Sequence, residues 1–156
     1  MEENKKNNPK VRVMLPEDYP QVYALWKSIK GLGIRSIDDE EEAVVSFIKR
    51  NPMTSFVAQA EDVIVGNLMC GHDGRRACFY HVCVDKRYRN QGIATEMVNC
   101  AIEALKKEKI NKINLMAFID NKVGNQYWHN LGWDIKENVN LYELNLNEKN
   151  ITVFNK

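Results

Sequence analysis

This chain of 156 residues has no C-x-x-C pair, no zinc-ligand spacing, no apolar run of membrane-spanning length and almost no net charge. Each absence closes a class of function. The four cysteines, Cys70, Cys78, Cys83 and Cys100, and the three histidines, His72, His81 and His129, complete no metal-ligand pattern, so no metal is expected. Four thiols could pair, but a core of this size needs no disulfide, and a reducing cytoplasm is the expected compartment. Residues 1–10 are polar and hold no apolar segment of the signal-peptide kind. Lys and Arg total 22 against 21 Asp and Glu, a formal charge of +1. A non-specific nucleic-acid binder carries a clear basic excess, so neither nucleic acid nor a membrane is an expected partner. Neither G-x-G-x-x-G nor G-x-x-x-x-G-K-[ST] occurs, which removes the dinucleotide fold and the P-loop.

What is there is a globular share of apolar residues, 44%, arranged in periodic segments. Residues 11–14 read as a short strand. Pro16 opens a helix through about Lys30, with Val22, Leu25, Trp26 and Ile29 at helical spacing, and Gly31 and Gly33 break it. The acidic run 38–42 reads as the solvated start of a second helix, because carboxylates suit the positive end of the helix dipole. Strands are expected at 55–60, 63–70 and 77–84, the last two joined by a hairpin at Asp73-Gly74. The longest helix runs from Gly92 to Lys107, with Ile93, Met97, Ala101 and Leu105 four residues apart. A strand at 113–118, a short helix at 121–130 closed by Gly132, and strand-like alternation at 133–136 and 139–146 follow. No repeat or linker interrupts this order. It predicts one mixed α/β domain over 11–147, with tails at 1–10 and 148–156.

The chemistry lies in residues 82–94: a buried strand, a basic loop containing Gly92, and the long helix. Amides that converge at a helix N-terminus make a site for phosphate groups. Gly92 lets the backbone approach an anion closely, Ala94 keeps the next position small, and Arg87 and Arg89 add charge at the mouth. An isolated G-x-A would mean little more than a turn. Here the segment Arg89-Asn-Gln-Gly92-Ile-Ala94 resembles the [QR]-x-x-G-x-[GA] pattern of the GCN5-related N-acetyltransferases, with Lys86 where that family usually has proline. A second segment, from Asn121 through Tyr127 and Trp128 to Gly132-Trp133, resembles the family's N-x-x-A-x-x-x-Y-x-x-x-G-[FY] in spacing. The hairpin Gly71-His-Asp-Gly-Arg-Arg76 looks like that of a bacterial branch.

The resemblance implies a GNAT fold, a central, mostly antiparallel mixed sheet of about seven strands flanked by four helices. It also implies acetyl-CoA as co-substrate and an amine as acceptor. By the same resemblance, amides around Arg89, Asn90, Gln91, Gly92, Ile93, Ala94 and Thr95 hold the pyrophosphate at the helix N-terminus. Backbone groups of Val82, Cys83 and Val84 hold the pantetheine arm, with Asn121 and Trp128 also against the cofactor. The family's leaving-group acid, a Tyr seven residues after the Asn, falls on Trp128. Two readings follow: Trp128 packs on the cofactor and CoA leaves as thiolate, or Tyr127 is re-aimed. Tyr80 and His81 are the candidates for the base, although neighbours on a strand face opposite sides unless a bulge intervenes; the family's equally common solution is a water chain to a more distant carboxylate. Cys83 reads as a small buried hydrophobe rather than a nucleophile. The rival reading is an acetyl-CoA sensor without turnover. Assembly as a homodimer is left open.

Overall fold

The computed structural model describes residues 8–156. Of the tail read at 1–10, residues 1–7 lie outside the described residues and Lys10 begins β1 (Lys10–Val13). A 3-10 turn over Pro16–Asp18 leads into α1 (Tyr19–Ser28). Then come β2 (Gly33–Arg35), α2 (Glu41–Arg50), β3 (Phe56–Ala60), β4 (Val63–His72) and β5 (Ala77–Val84). After a second 3-10 turn, the chain forms α3 (Ile93–Lys107), β6 (Ile113–Leu115), α4 (Lys122–Asn130) and β7 (Thr152–Phe154).

Seven strands and four helices form, as the family resemblance implies, with the strands divided between two sheets. The main sheet has the order β1-β3-β4-β5-β6, antiparallel except for the β5–β6 pair, and β2 pairs with β7 apart from it. The central strand β4 is buried from Ile64 to Gly71, because helices cover both faces of the sheet. On one face α1 and α2 bring Val22, Leu25, Trp26, Val44 and Ile48 against Val57, Ile64, Met69 and Cys83. On the other, α3 lays Ile93, Met97, Ala101 and Leu105 on Ala58, Val65, Leu68 and Val84. Gly66 explains how closely α3 seats: a Cβ there would lie 3.1 Å from Met97 Cε and from Ala58 Cβ.

Four expectations need correction. The helix expected from Asp38 starts at Glu41, because Asp39 spends its carboxylate elsewhere: Oδ2 accepts the Arg35 N–H at 2.7 Å. Gly33, read as a helix breaker, also opens β2. Residues 148–156, read as a tail, contain β7; Asn155 donates to the carbonyls of Trp26 and Ile29, capping the end of α1. Finally, the alternation at 133–136 and 139–146 forms no strand. β6 leaves the sheet after Leu115, so no ladder extends far enough to receive that stretch. Ile135, Val139, Leu141, Leu144 and Leu146 stand exposed.

Candidate active site

β5 carries the decisive irregularity. Its register with β4 runs Tyr80 opposite Met69 and Cys83 opposite Asn67, so His81 and Val82 together face the single residue Leu68. This is a β-bulge, and His81 sits in it at φ of +50°, a region few residues other than glycine enter. The extra residue reverses the alternation. Tyr80 meets Phe47 of α2 edge to face at 5.9 Å, and His81 meets Trp26 of α1 at 4.5 Å between ring centres, so both face the helices α1 and α2. Val82 turns to the α3 side and Cys83 back into the α1–α2 core.

On its other edge, β5 pairs with β6 only through Ala77–Ile113, Cys78–Asn114 and Phe79–Leu115. Beyond Phe79 the strands part. Asp85 N–H bonds back to Val65 O at 2.7 Å, and strand alternation then turns the backbone of Val84 toward the vacated side. There Arg89 Nε donates to Val84 O at 3.0 Å. Strand, cleft and loop thus meet at one corner.

The loop is shaped by its own side chains. Asp85 Oδ1 accepts the Arg87 N–H at 2.9 Å, and its carboxylate also takes Arg87 Nε and Nη2. These bonds hold the Asp85 carboxyl below the usual carboxylate range. Arg87 is therefore already paired, and Arg89 and Lys86 are the charges left for an anion. Asn90 at φ +61° and Gly92 at φ +79° turn the chain into α3. A Cβ on Gly92 would meet nothing within 4 Å, so the helix end opens on free space. Glu96 N–H is the first to bond back, to Gly92 O. The amides of Ile93, Ala94 and Thr95 precede it, in the turn whose donors have no helical partner. That set suits a pyrophosphate: unpaired N–H donors, the positive helix end and an unhindered glycine.

α4 lies beside this corner. Asn121 caps it, with Oδ1 accepting the Gly124 N–H at 2.9 Å, so that oxygen is engaged in the fold. Tyr127 OH lies 3.0 Å from Thr95 Oγ1, in the first turn of α3. Burial pushes its phenol up, so it keeps its proton. Trp128 instead packs on Phe79 and Trp133, at 6.2 and 4.8 Å between ring centres. At this point the side chain that reaches the first turn of α3 is Tyr127, while Trp128 stands in the ring cluster of Phe79 and Trp133. Tyr80 is pushed up to about 12 by burial, and so is Cys83, which makes the first a hydrogen-bond donor and the second an unreactive thiol.

One partner had no signal in the sequence. His81 Nε2 lies 2.8 Å from Asp39 Oδ1, with both side chains only 8% exposed. Asp39 belongs to an acidic run whose pattern suits a solvated helix start, and no spacing rule links positions 39 and 81. His72, by contrast, pairs with Glu108 at the end of α3, and Asp73 Oδ1 takes the Arg75 and Arg76 N–H groups. The hairpin is a closed turn. Among the described residues no cluster of three ligand-type side chains could hold a metal ion, and no helix is long and apolar enough to cross a membrane. A groove of about 790 Å³ runs along α3 between Val13, Phe56 and Lys107; of the loop it touches only Gly92, and none of the bulge residues lines it.

The model of the "Acetyltransferase (GNAT) family" matches residues 19–133, which span α1, the bulge, the loop and α4. The chain belongs to that family. "Acetyltransferase SG1711" of Sodalis glossinidius is 29% identical over 129 residues, covering 83% of this chain and 89% of that protein. "Acetyltransferase ECA0875" of Pectobacterium atrosepticum is 30% identical, covering 71% and 77%. Among solved structures, the PaiA N-acetyltransferase of Thermoplasma acidophilum with coenzyme A superposes at a TM-score of 0.71. It is 14% identical and covers 95% of this chain and 98% of that one. The aminoglycoside acetyltransferase meta-AAC0020 from a soil metagenome, with sisomicin, gives 0.70 at 19% identity, covering 90% and 98%. The GNAT chain is thus an N-acetyltransferase with acetyl-CoA as co-substrate, and the residues of its loop and vacated edge fit that group.

Proposed function

We propose that this acetyltransferase moves the acetyl group directly to a primary amine while acetyl-CoA and amine are bound together. The observation that carries the reading is the parting of β5 from β6 beside the bulge, at the mouth of a loop that ends in free helix amides. Bound there, acetyl-CoA supplies a thioester for the amine to attack. The amides of Ile93, Ala94 and Thr95, with Arg89, Asn90, Gln91 and Gly92, hold the pyrophosphate. The vacated edge of Val82, Cys83 and Val84 orients the arm and donates to the carbonyl oxygen as charge develops. Tyr127, protonated and beside Thr95, donates to the departing sulfur. The acceptor approaches from the α1–α2 side, where Tyr80 and His81 face it. An ammonium has no lone pair, so a base must take its proton first.

Structural relatives act on unlike amines: one is named an aminoglycoside acetyltransferase, another a ribosomal-protein-alanine N-acetyltransferase. The shared requirement is the amine itself. The test is release of free CoA from acetyl-CoA across a panel of polyamines, aminoglycosides, amino acids and peptides. Amine-dependent release is expected for at least one class. Acetyl-CoA binding with no release from any of them would instead support a sensor.

A further inference from the structure

His81 is held on several sides, and each hold has its own support. Its Nε2 meets Asp39 Oδ1 at 2.8 Å and its ring lies against Trp26, whose own Nε1 donates to the buried Asn67 Oδ1 at 2.9 Å. Asp39 is pinned as firmly. Its Oδ2 accepts the Arg35 N–H at 2.7 Å, and its backbone carbonyl accepts the Tyr19 hydroxyl at 2.7 Å. Carboxylates are almost never this buried without a partner that gives them hydrogen bonds. A carboxylate can only accept, so the proton on neutral His81 sits at Nε2 and the lone pair at Nδ1. Nδ1 has no partner among the described residues, yet no buried side-chain nitrogen or oxygen there is left unsatisfied. Nδ1 is therefore reached by solvent, although the side chain as a whole is only 8% exposed.

Resting on the functional reading above, we infer that Asp39 is a positioning residue. It fixes His81 as the Nε2–H tautomer, so that Nδ1 takes the proton of the acceptor ammonium. Tyr80 and Cys83 remain protonated and cannot do this. The balance is simple. The ammonium gives one proton to Nδ1, and its nitrogen bonds to the acetyl carbon as the carbon–sulfur bond breaks. The sulfur leaves with the electron pair and takes the Tyr127 phenol proton to end as the CoA thiol, and the second nitrogen proton restores the phenol. His81 then returns its proton to solvent. The strained φ of His81 is consistent with a side chain aimed for a task.

The test is Asp39→Asn, read by nitrogen NMR of the imidazoles at mildly alkaline pH, with His81→Gln assigning the signal against His72 and His129. In the variant the amide oxygen keeps the Arg35 N–H, which leaves the NH2 facing Nε2 and forces the proton onto Nδ1. The wild type should show Nε2–H and the variant Nδ1–H. Amine-dependent CoA release should fall at least 100-fold in kcat, with the KM for acetyl-CoA and the acetyl-CoA-induced rise in Tm retained. An Nδ1–H tautomer in the wild type overturns the proposal without any variant. An unchanged tautomer in Asp39→Asn, or a switched one with kcat intact, overturns it too. If the tautomer switches but acetyl-CoA stabilises neither protein, the cofactor reading has failed and the proton-accepting role falls with it.

Discussion

Gly92 offers the sharpest way to separate backbone strain from cofactor binding. It stands at φ +79° and ψ 10° as the residue before α3, with no atom within 4 Å of where a Cβ would be. Alanine there meets no clash, so its penalty is the left-handed conformation alone, about 1–2 kcal/mol. For a domain of this size that lowers Tm by roughly 2–8 °C. Gly92→Glu carries the same strain and adds a carboxylate beside the proposed pyrophosphate. At about 5 Å and an effective dielectric near 20, that repulsion is about 3 kcal/mol. Acetyl-CoA at 100 times its Kd stabilises the wild type by about 2.7 kcal/mol, a rise of roughly 5–11 °C. The assay is thermal unfolding with and without acetyl-CoA. Both variants should unfold earlier than wild type by a similar margin without ligand, and only Gly92→Glu should lose the ligand-induced rise. A Gly92→Glu protein that keeps the full rise would refute the anion cradle.

The other predictions concern different parts of the molecule. Tyr127→Phe removes the hydroxyl from beside Thr95 and should lower kcat about 100-fold, the usual scale for losing a proton donor, while the rise in Tm with acetyl-CoA persists. Unchanged turnover would remove Tyr127 from the reaction. Asn67 is fully buried, accepts from Trp26 Nε1 and donates to Phe56 O at 3.0 Å. Asn67→Ala strands both groups and should cost about 2–4 kcal/mol in urea unfolding; a loss under 1 kcal/mol would contradict the network. Asp18 takes two bonds from Arg12 and one from Leu15 N–H, each 2.8 Å. Burial pushes its carboxyl up, but those bonds hold it below the ordinary 3.8 overall. A lowered carboxyl stabilises the fold above its ordinary value and ceases to as pH falls through the lowered one. Asp18→Asn should therefore cost about 1–2 kcal/mol at pH 7, discounted for the partly exposed Arg12, with the difference closing as pH drops below 3.8.

The parts of the fold that could be read in advance are those fixed by neighbours in sequence. The α3 stripe, the Asp73-Gly74 hairpin and the strand–loop–helix from Val82 to Ala94 each follow from local periodicity or a turn residue. The pairing of Gly33, Ile34 and Arg35 with Phe154, Val153 and Thr152 could not, since it joins segments far apart in sequence with no shared spacing. Alternation at 139–146 signals a wish for cover on one side, not the presence of a ladder edge to meet it. At the site, the loop was legible because glycine and helix start are written in its residues. The side on which His81 stands was not. It depends on a bulge that no residue type encodes, and its partner Asp39 looked like one more carboxylate at a helix start. Tyr127 and Trp128 are adjacent on α4, and only the packing of Trp128 on Phe79 and Trp133 decides which of them meets α3.

The central claim is that acetyl-CoA enters where β5 leaves β6 and rests its pyrophosphate on the first turn of α3. Titration with acetyl-CoA, followed residue by residue through the backbone amide NMR signals, tests it most directly. The largest shifts should fall on Gly92, Ile93, Ala94 and Thr95 and on Val82 and Val84. Shifts confined to Asn99, Glu103 and Lys107, along the outer groove of α3, with those six amides unmoved, would contradict it.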